Sequence, residues 1–417
     1  MLEIISACLW AIVTLIILII GTYFSLTLCF PQFNIKKIKK HLFNKNYKES
    51  LKTLNLTLAG RIGVGSISGV ALAIYLGGPG TIFWMWIVAF ITGSLAYTET
   101  FIAIIYKEKT YGGPSYYIKK GLKNKKLAIM YAFIIIISYL IGFIPIQSNT
   151  IAKSLDVNKI IIGFSLSLIS FFIIKGGLKK ITKATNILVP IMTLIYILIC
   201  LIAIINNIDK FITITNKILT SALNVKSFFT SFIPTLLIGI QRCIFSNESG
   251  TGIGSIAASS SKNQNPSQNG YIQIIGIYMT TLLICTITAF LILTSPYQTL
   301  NLSNLNGIEI TSFAFNYHFK SAGKLLLNIS IILFSFTTIL TGYYYCESSI
   351  NFISNKINKK VIKIFVPISV FLGTIFSPTT IWKSIDIMVA ILVLINIYTL
   401  YKLRKEILKY HKKYDRI

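Results

Sequence analysis

Eleven stretches of mostly apolar sequence dominate this chain, near residues 5–30, 54–76, 81–106, 127–152, 159–174, 184–206, 229–259, 269–294, 322–349, 361–376 and 380–401. A helix needs about 20 apolar residues to cross the hydrocarbon layer of a bilayer, and fewer where Gly or Pro interrupts it. A water-soluble surface cannot be built around such a series. Hydrophobic residues make up 54% of the chain and charged residues 12%, about half the usual charged share. Mean hydropathy is +0.72. The expected class is therefore all-α, a polytopic membrane protein of about eleven spans. The first stretch does not read as a signal peptide. No Lys or Arg precedes it, Glu3 does, and it is too long for such a segment.

The net charge of +28 would suggest nucleic acid in a soluble protein. Here the basic residues divide among short loops, which argues for topology signals instead. Thirty Lys and Arg fall on alternate loops of one side and eight on the other. That asymmetry predicts an odd number of spans in a cell membrane, with the N-terminus outside and the C-terminus cytoplasmic. The six Cys form no CxxC pair, and the three His stand apart from any Cys or carboxylate cluster. Neither a metal centre nor a disulfide framework is indicated. No nucleophile–base pair, metal cluster or P-loop stands near the interrupted second and seventh stretches, so enzyme chemistry is not expected.

The second and seventh stretches are interrupted at mid-span. One reads Arg61-Ile62-Gly63-Val64-Gly65-Ser66-Ile67-Ser68-Gly69 and the other Phe245-Ser246-Asn247-Glu248-Ser249-Gly250-Thr251-Gly252-Ile253-Gly254. Gly and small polar residues at that depth are tolerated only where backbone lines a protein-enclosed cavity. The interruptions lie five spans apart. Matching interrupted helices that open two five-helix halves are the pattern of an inverted-repeat secondary transporter. The expected organisation is an extra N-terminal helix (1–35), a first repeat (50–206), a second repeat (227–402) and a basic cytoplasmic tail (403–417). Backbone N–H groups around Gly63, Val64 and Gly65 are suited to receive a carboxylate. Carbonyls near Ser246 and Asn247 are suited to receive an ammonium. Gln147 and Thr338 are expected to complete the pocket, with Gly342 as its floor. Glu248 is expected to anchor the broken helix or to titrate, and a partnership with Arg242 is open to it. Glu99 is expected to be a buried carboxylate with a structural or coupling role, and Asp386 a helix cap.

Gly77-Gly78-Pro79-Gly80-Thr81-Ile82-Phe83-Trp84-Met85-Trp86 and Phe245-Ser246-Asn247-Glu248-Ser249-Gly250 resemble the signatures of the alanine or glycine:cation symporter family. Gly112-Gly113-Pro114-Ser115-Tyr116-Tyr117-Ile118, Gly176-Gly177-Leu178-Lys179-Lys180, Asn265-Pro266 and Phe336-Thr337-Thr338-Ile339-Leu340 continue the resemblance in family order. So do Tyr344, Glu347, Asp386 and Asn396. The resemblance implies a leucine-transporter-type fold with one extra N-terminal helix. It also implies uptake of a small neutral amino acid coupled to Na⁺, with no other cofactor. Hydroxyls of Thr337 and Thr338 facing carbonyls of Ile62 and Gly65 resemble the ion site of that fold. The family has Asn where this chain has Ser66, a Trp where it has Gly342, and an Asp near Thr280. Loss of the Trp implies a larger substrate pocket. Loss of Asn and Asp leaves open an uncoupled or proton-coupled facilitator as the alternative. Oligomeric state is not indicated.

Overall fold

The computed structural model describes the chain except residues 1, 44–46, 156, 225–227, 301–306, 355–359 and 415–417. Lys45, Lys226, Lys356, Lys359 and Arg416, counted above among the loop charges, lie outside the described residues. Among the described residues the fold is helical throughout, apart from an isolated bridge between Glu108 and Tyr111.

The helices run in order as α1 (Leu2–Thr27), α2 (Ile35–Leu42), α3 (Tyr47–Arg61), α4 (Val64–Gly77), α5 (Thr81–Tyr106), α6 (Pro114–Lys120) and α7 (Lys125–Ile137). They continue as α8 (Ile144–Ser154), α9 (Lys159–Lys175), α10 (Gly177–Ile205), α11 (Phe211–Ala222), α12 (Ile233–Asn247), α13 (Ile253–Ser259) and α14 (Pro266–Ile277). The last are α15 (Thr286–Leu293), α16 (Gly307–Phe319), α17 (Gly323–Ile353), α18 (Lys360–Ile375), α19 (Pro378–Lys402) and α20 (Arg404–Tyr414). Each of the eleven expected stretches coincides with a helix or a chain of consecutive helices. Seven are long and apolar enough to cross a membrane alone, and α3 with α4 makes an eighth across a 43° bend. Helices α9 and α18, of 17 and 16 residues, reach only about 25 Å at 1.5 Å per residue. The chain is a multi-pass membrane protein; eleven remains the sequence-based expectation for its spans.

Two long helices relax into π-helix on the way. Ser138–Phe143 joins α7 to α8 just before Pro145, and Tyr278–Cys285 joins α14 to α15. Pro145 has no N–H to give to the turn before it, and a widened turn accommodates the loss. Helix α5 is buried along nearly its whole length, whereas α1 lies outside it against α5 and α19. Half-helix α3 packs on α13, and α4 packs on α12, so the two interrupted rods cross.

Both breaks fall inside the glycine-containing runs and are narrower than those runs. The first occupies only Ile62 and Gly63, with Gly63 extended at φ −132° and ψ −154°. Val64, Gly65 and Ser66 already form the first turn of α4. Ser246 and Asn247 still belong to α12, and the second break runs from Glu248 to Gly252. It turns through left-handed backbone at Glu248 (φ 55°), Gly250 (φ 78°) and Gly252 (φ 81°). Gly supplies that conformation without steric cost.

Five shorter helices lie outside the expected spans: α2, α6, α11, α16 and α20. The expected basic tail is largely α20, which folds back onto the protein. Ile407 is fully buried, the Tyr106 hydroxyl donates to Glu406, and His411 Nδ1 lies 3.1 Å from the Tyr97 hydroxyl. Seating an isoleucine contributes about 1.5–3 kcal/mol. Ile407→Asp is therefore expected to release α20. Trypsin should then cut at Arg404 and Lys405 about tenfold faster or more. Parent-like cutting kinetics would show that α20 is not held by this contact.

Candidate functional site

The first break sits where four elements meet. Gly63 has no side chain, and the space a Cβ would take is filled: it would lie 2.6 Å from Thr338 Oγ1 and 3.1 Å from Gln147 Oε1. The amide oxygen of Gln147, on α8, accepts from the Val64 N–H at 3.0 Å. The N–H expected to receive a ligand carboxylate is thus held by a side chain. The Gly65 N–H lies in the first turn of α4, where N–H groups have no partner within their own helix. Thr338, on α17, lies 3.0 Å from the carbonyls of both Ala59 and Phe334. Its hydroxyl bridges its own helix to the last turn of α3.

Thr337 does not join it. Successive helical residues point about 100° apart, and Thr337 donates to Phe334 O at 2.9 Å while facing Met192 of α10. Of the two expected ion-site hydroxyls only that of Thr338 is turned to the first break. Gly65 lies within the first turn of α4 and not in the break. Gly342 borders no open space either. A Cβ there would meet the Tyr139 ring at 2.8 Å and Ile144 at 3.2 Å, so it is a close-packing position.

The crossing of the two rods is small and polar. Ser66 Oγ and Ser246 Oγ are 3.0 Å apart, and Ser246 Oγ is 3.3 Å from Cys285 Sγ. A Cβ on Gly65 would stand 2.9 Å from the Phe245 ring and 3.2 Å from the Ser246 Cα. Phe245 stacks on Phe143 at 5.2 Å and packs on Trp382 at 4.8 Å.

The second break is tied down by its own side chains. Asn247 Oδ1 accepts from the Ser249 N–H at 3.0 Å and from its hydroxyl at 2.6 Å, and Asn247 Nδ2 donates to Thr281 at 3.2 Å. The carbonyls of Ser246 and Asn247 accept no hydrogen bond among the described residues. The Thr251 carbonyl accepts from the Tyr131 hydroxyl. Asn396 Nδ2 donates to Gly250 O at 2.9 Å and to Glu99 Oε1 at 2.7 Å, while Asn396 Oδ1 accepts from Tyr117. Glu99 is therefore buried and hydrogen-bonded as expected, and its partner chain ends on the broken helix.

Glu248 departs from expectation in its partners. It does not pair with Arg242, whose Nη2 meets Asp386 Oδ2 at 2.7 Å in a buried ion pair. Asp386 is thus a charge partner rather than a cap. Glu248 Oε1 accepts from the Tyr139 hydroxyl at 2.7 Å, and Oε2 lies 3.5 Å from the Tyr345 hydroxyl. Arg61 is buried beneath the first break. Its Nη1 donates to Gln273 O at 3.0 Å, and its guanidinium packs over Gly254 and Gly276.

Sequence reasoning passed over Tyr139, Tyr345 and the placement of Arg61. The run Tyr343-Tyr344-Tyr345 inside an apolar stretch was the available signal, because a buried phenol needs a partner. A cavity of about 660 Å³ lies between α3, α10 and the segment after α13, lined by Lys52, Thr53, Lys179, Thr182, Lys183 and Asn186 among others. It lies among the loops that carry most of the lysines.

A family model described as the sodium:alanine symporter family matches residues 1–417. The amino-acid carrier protein AlsT of Bacillus subtilis is 34% identical over an alignment that covers 98% of this chain and 90% of that protein. The sodium/alanine symporter AgcS of Methanococcus maripaludis is 31% identical, covering 89% and 87%. Among solved structures, a Na⁺-coupled sialic acid symporter in a substrate-bound outward-open state superposes with a TM-score of 0.55. It is 13% identical and covers 89% of this chain and 82% of that one, a likeness of fold.

Proposed function

The chain belongs to the sodium:alanine symporter family, and on that premise we propose that it imports a small neutral amino acid with Na⁺ as coupling ion. The observation that carries this reading is the meeting of both broken rods at Ser66 and Ser246, with Thr338 turned to the first break. In this reading the substrate carboxylate takes the N–H groups of Val64 and Gly65 by displacing Gln147. The ammonium takes the carbonyls of Ser246 and Asn247. Na⁺ takes oxygens of Ala59, Ile62 and Thr338. Residues 50–206 and 227–402 serve as the two five-helix halves, the N-terminus faces outward and the basic loops face the cytoplasm. The lysine-lined cavity beside α3 is then the cytoplasmic mouth of the path, reached when α3 pivots at Gly63.

Uptake of a labelled neutral amino-acid panel into proteoliposomes, with Na⁺ present or replaced by choline, tests the proposal. A coupled carrier concentrates its substrate only with the Na⁺ gradient. Equilibration without accumulation would identify a facilitator and sink the coupled reading. Thr338→Val should raise the Na⁺ concentration for half-maximal uptake roughly tenfold, the value of about 1.4 kcal/mol for one lost ligand. Thr337→Val should leave it nearly unchanged. Equal effects of the two would misplace the ion.

A further inference from the structure

The cavity of about 660 Å³ beside α3 has a charge balance that its own residues do not complete. Its lining holds four lysines, Lys52, Lys179, Lys183 and Lys262, against one carboxylate, Glu49. Glu49 is already engaged: it lies 3.6 Å from Lys52 Nζ and accepts the Lys262 N–H at 3.2 Å. Among the described residues, Lys179 and Lys183 have no carboxylate partner. Like charges around a concave recess focus their field into it and draw in an anion. The volume suits an organic ligand of moderate size rather than a bare ion.

The helix that carries two of these lysines says what kind of anion fits. Lys179 and Lys183 stand in the first two turns of α10. Further along, Ile187, Ile191, Leu194 and Leu198 are exposed, at spacings of three and four that keep them on one face with Lys183. Ile187 also lines the cavity, so the charged recess opens onto the apolar stripe. From Lys183 to Ile205 the helix runs about 33 Å at 1.5 Å per residue, close to the roughly 30 Å of a bilayer's hydrocarbon. The lysines therefore stand at headgroup level and the stripe at acyl-chain level. A ligand that matches both is an anionic head joined to an apolar tail. A free phosphate would use the recess and leave the stripe unexplained.

We propose that this recess seats the phosphate of an anionic phospholipid, with an acyl chain along Ile187, Ile191 and Leu194, and that the seated lipid clamps α3 to α10. Basic pockets between spans on the cytoplasmic side are suited to such headgroups, and in the orientation proposed above this rim is cytoplasmic. The clamp follows from which elements the lysines belong to. Lys52 is on α3, the half-helix before the first break, and Lys179 and Lys183 are on α10, which packs against it. One turn beyond Lys52 and Lys183, Asn55 Nδ2 donates to Asn186 Oδ1 at 3.3 Å. A phosphate held by lysines of both helices reinforces that single bond. Lipid affinity and the position of α3 are then reciprocally coupled. The binding half of the proposal stands on the cavity alone; the clamp half rests on the symporter reading, in which α3 pivots at Gly63.

Native mass spectrometry of the full chain, released from detergent after titration with phosphatidylglycerol, phosphatidylcholine or inorganic phosphate, addresses binding without any transport. Phosphatidylglycerol should be retained and the other two lost. Lys179→Gln combined with Lys183→Gln should weaken that retention about thirtyfold. Lys409→Gln combined with Lys412→Gln, which removes the same charge from α20, should leave it unchanged. Equal retention of the two lipids, phosphate held as tightly as phosphatidylglycerol, or equal losses in the two double variants each overturns the lipid site. The first two outcomes are read on the parent, so a poorly folding variant does not shelter the proposal. Proteoliposomes address the clamp. Exchange of L-alanine should be severalfold slower in phosphatidylglycerol than in phosphatidylcholine, and the Lys179 and Lys183 double variant should not distinguish the two bilayers. Parent exchange that ignores the lipid overturns the clamp and leaves the symporter reading intact. Exchange in neither bilayer overturns the symporter reading and the clamp together, while the lipid site is still judged by its mass spectra.

Discussion

Gly63→Ala is expected to slow amino-acid exchange by roughly ten- to a hundredfold, while Gly69→Ala, on the α4 side of the same break, stays near the parent rate. The backbone at Gly63 is extended, a conformation any residue adopts, so backbone strain is not the cause. Space is. A methyl group there would press on Thr338 Oγ1 at 2.6 Å and Gln147 Oε1 at 3.1 Å, and overpacking of that kind costs about 1–3 kcal/mol. The two groups it displaces are the ones that join α17 and α8 to the hinge. A methyl on Gly69 would find its nearest neighbours at 3.8 and 3.9 Å, ordinary contact. Counterflow of labelled substrate, normalised to monodisperse protein, is the measurement. If the Gly63 variant exchanges as fast as the parent, the ligand and the ion do not meet at this break.

The second large effect concerns stability. Arg242→Met is expected to destabilise the folded protein by about 3–5 kcal/mol, because it strands the buried Asp386 carboxylate. Arg242→Met combined with Asp386→Leu should recover most of the loss, since replacing both charges of a buried pair by apolar groups is often near neutral. The guanidinium also lies 4.9 Å above the Trp382 ring, and Trp382 packs on Phe245 at the crossing of the rods. The single variant should therefore disturb the site from behind as it unfolds the protein. Thermal unfolding in detergent, followed by loss of the monodisperse peak, compares the three proteins. A double variant as unstable as the single one would mean that the pair is needed for its geometry and not only for charge balance.

The spans were legible because a bilayer demands long apolar runs, and the breaks because it forbids unpaired backbone except inside protein. The register of each break was not. A helix restarts after one extended residue at Gly63 and ends at one left-handed residue at Glu248, and glycine runs several residues long do not mark which one. The choice between Thr337 and Thr338 was equally closed to sequence, since adjacent helical residues face different neighbours. Arg242 reads as a candidate partner of Glu248 and Asp386 as a cap, and that the two pair with each other depends on how α12 packs against α19. Helices α2, α6, α11 and α16 lie in the linkers between the long apolar runs and α20 lies after the last of them, where apolar length gives no signal. The resemblance identified Asn396 as a position to watch; only the fold shows it clasping Glu99 and the Gly250 carbonyl together.

The amide of Gln147 on the Val64 N–H has a consequence for cargo-free cycling. A carrier whose recognition groups stood bare between rounds would have to flood the hinge with solvent or leave donors stranded. In the proposed reading the Gln147 amide oxygen takes the N–H that a substrate carboxylate would use, so that donor stays satisfied between rounds. An arriving carboxylate must then displace that amide, so the contact it gains at the Val64 N–H replaces one already satisfied, whereas the carbonyls of Ser246 and Asn247 are open to the ammonium. On that reading the joint trades grip for speed, since exchanging one bond for another holds cargo less tightly than filling a bare donor would.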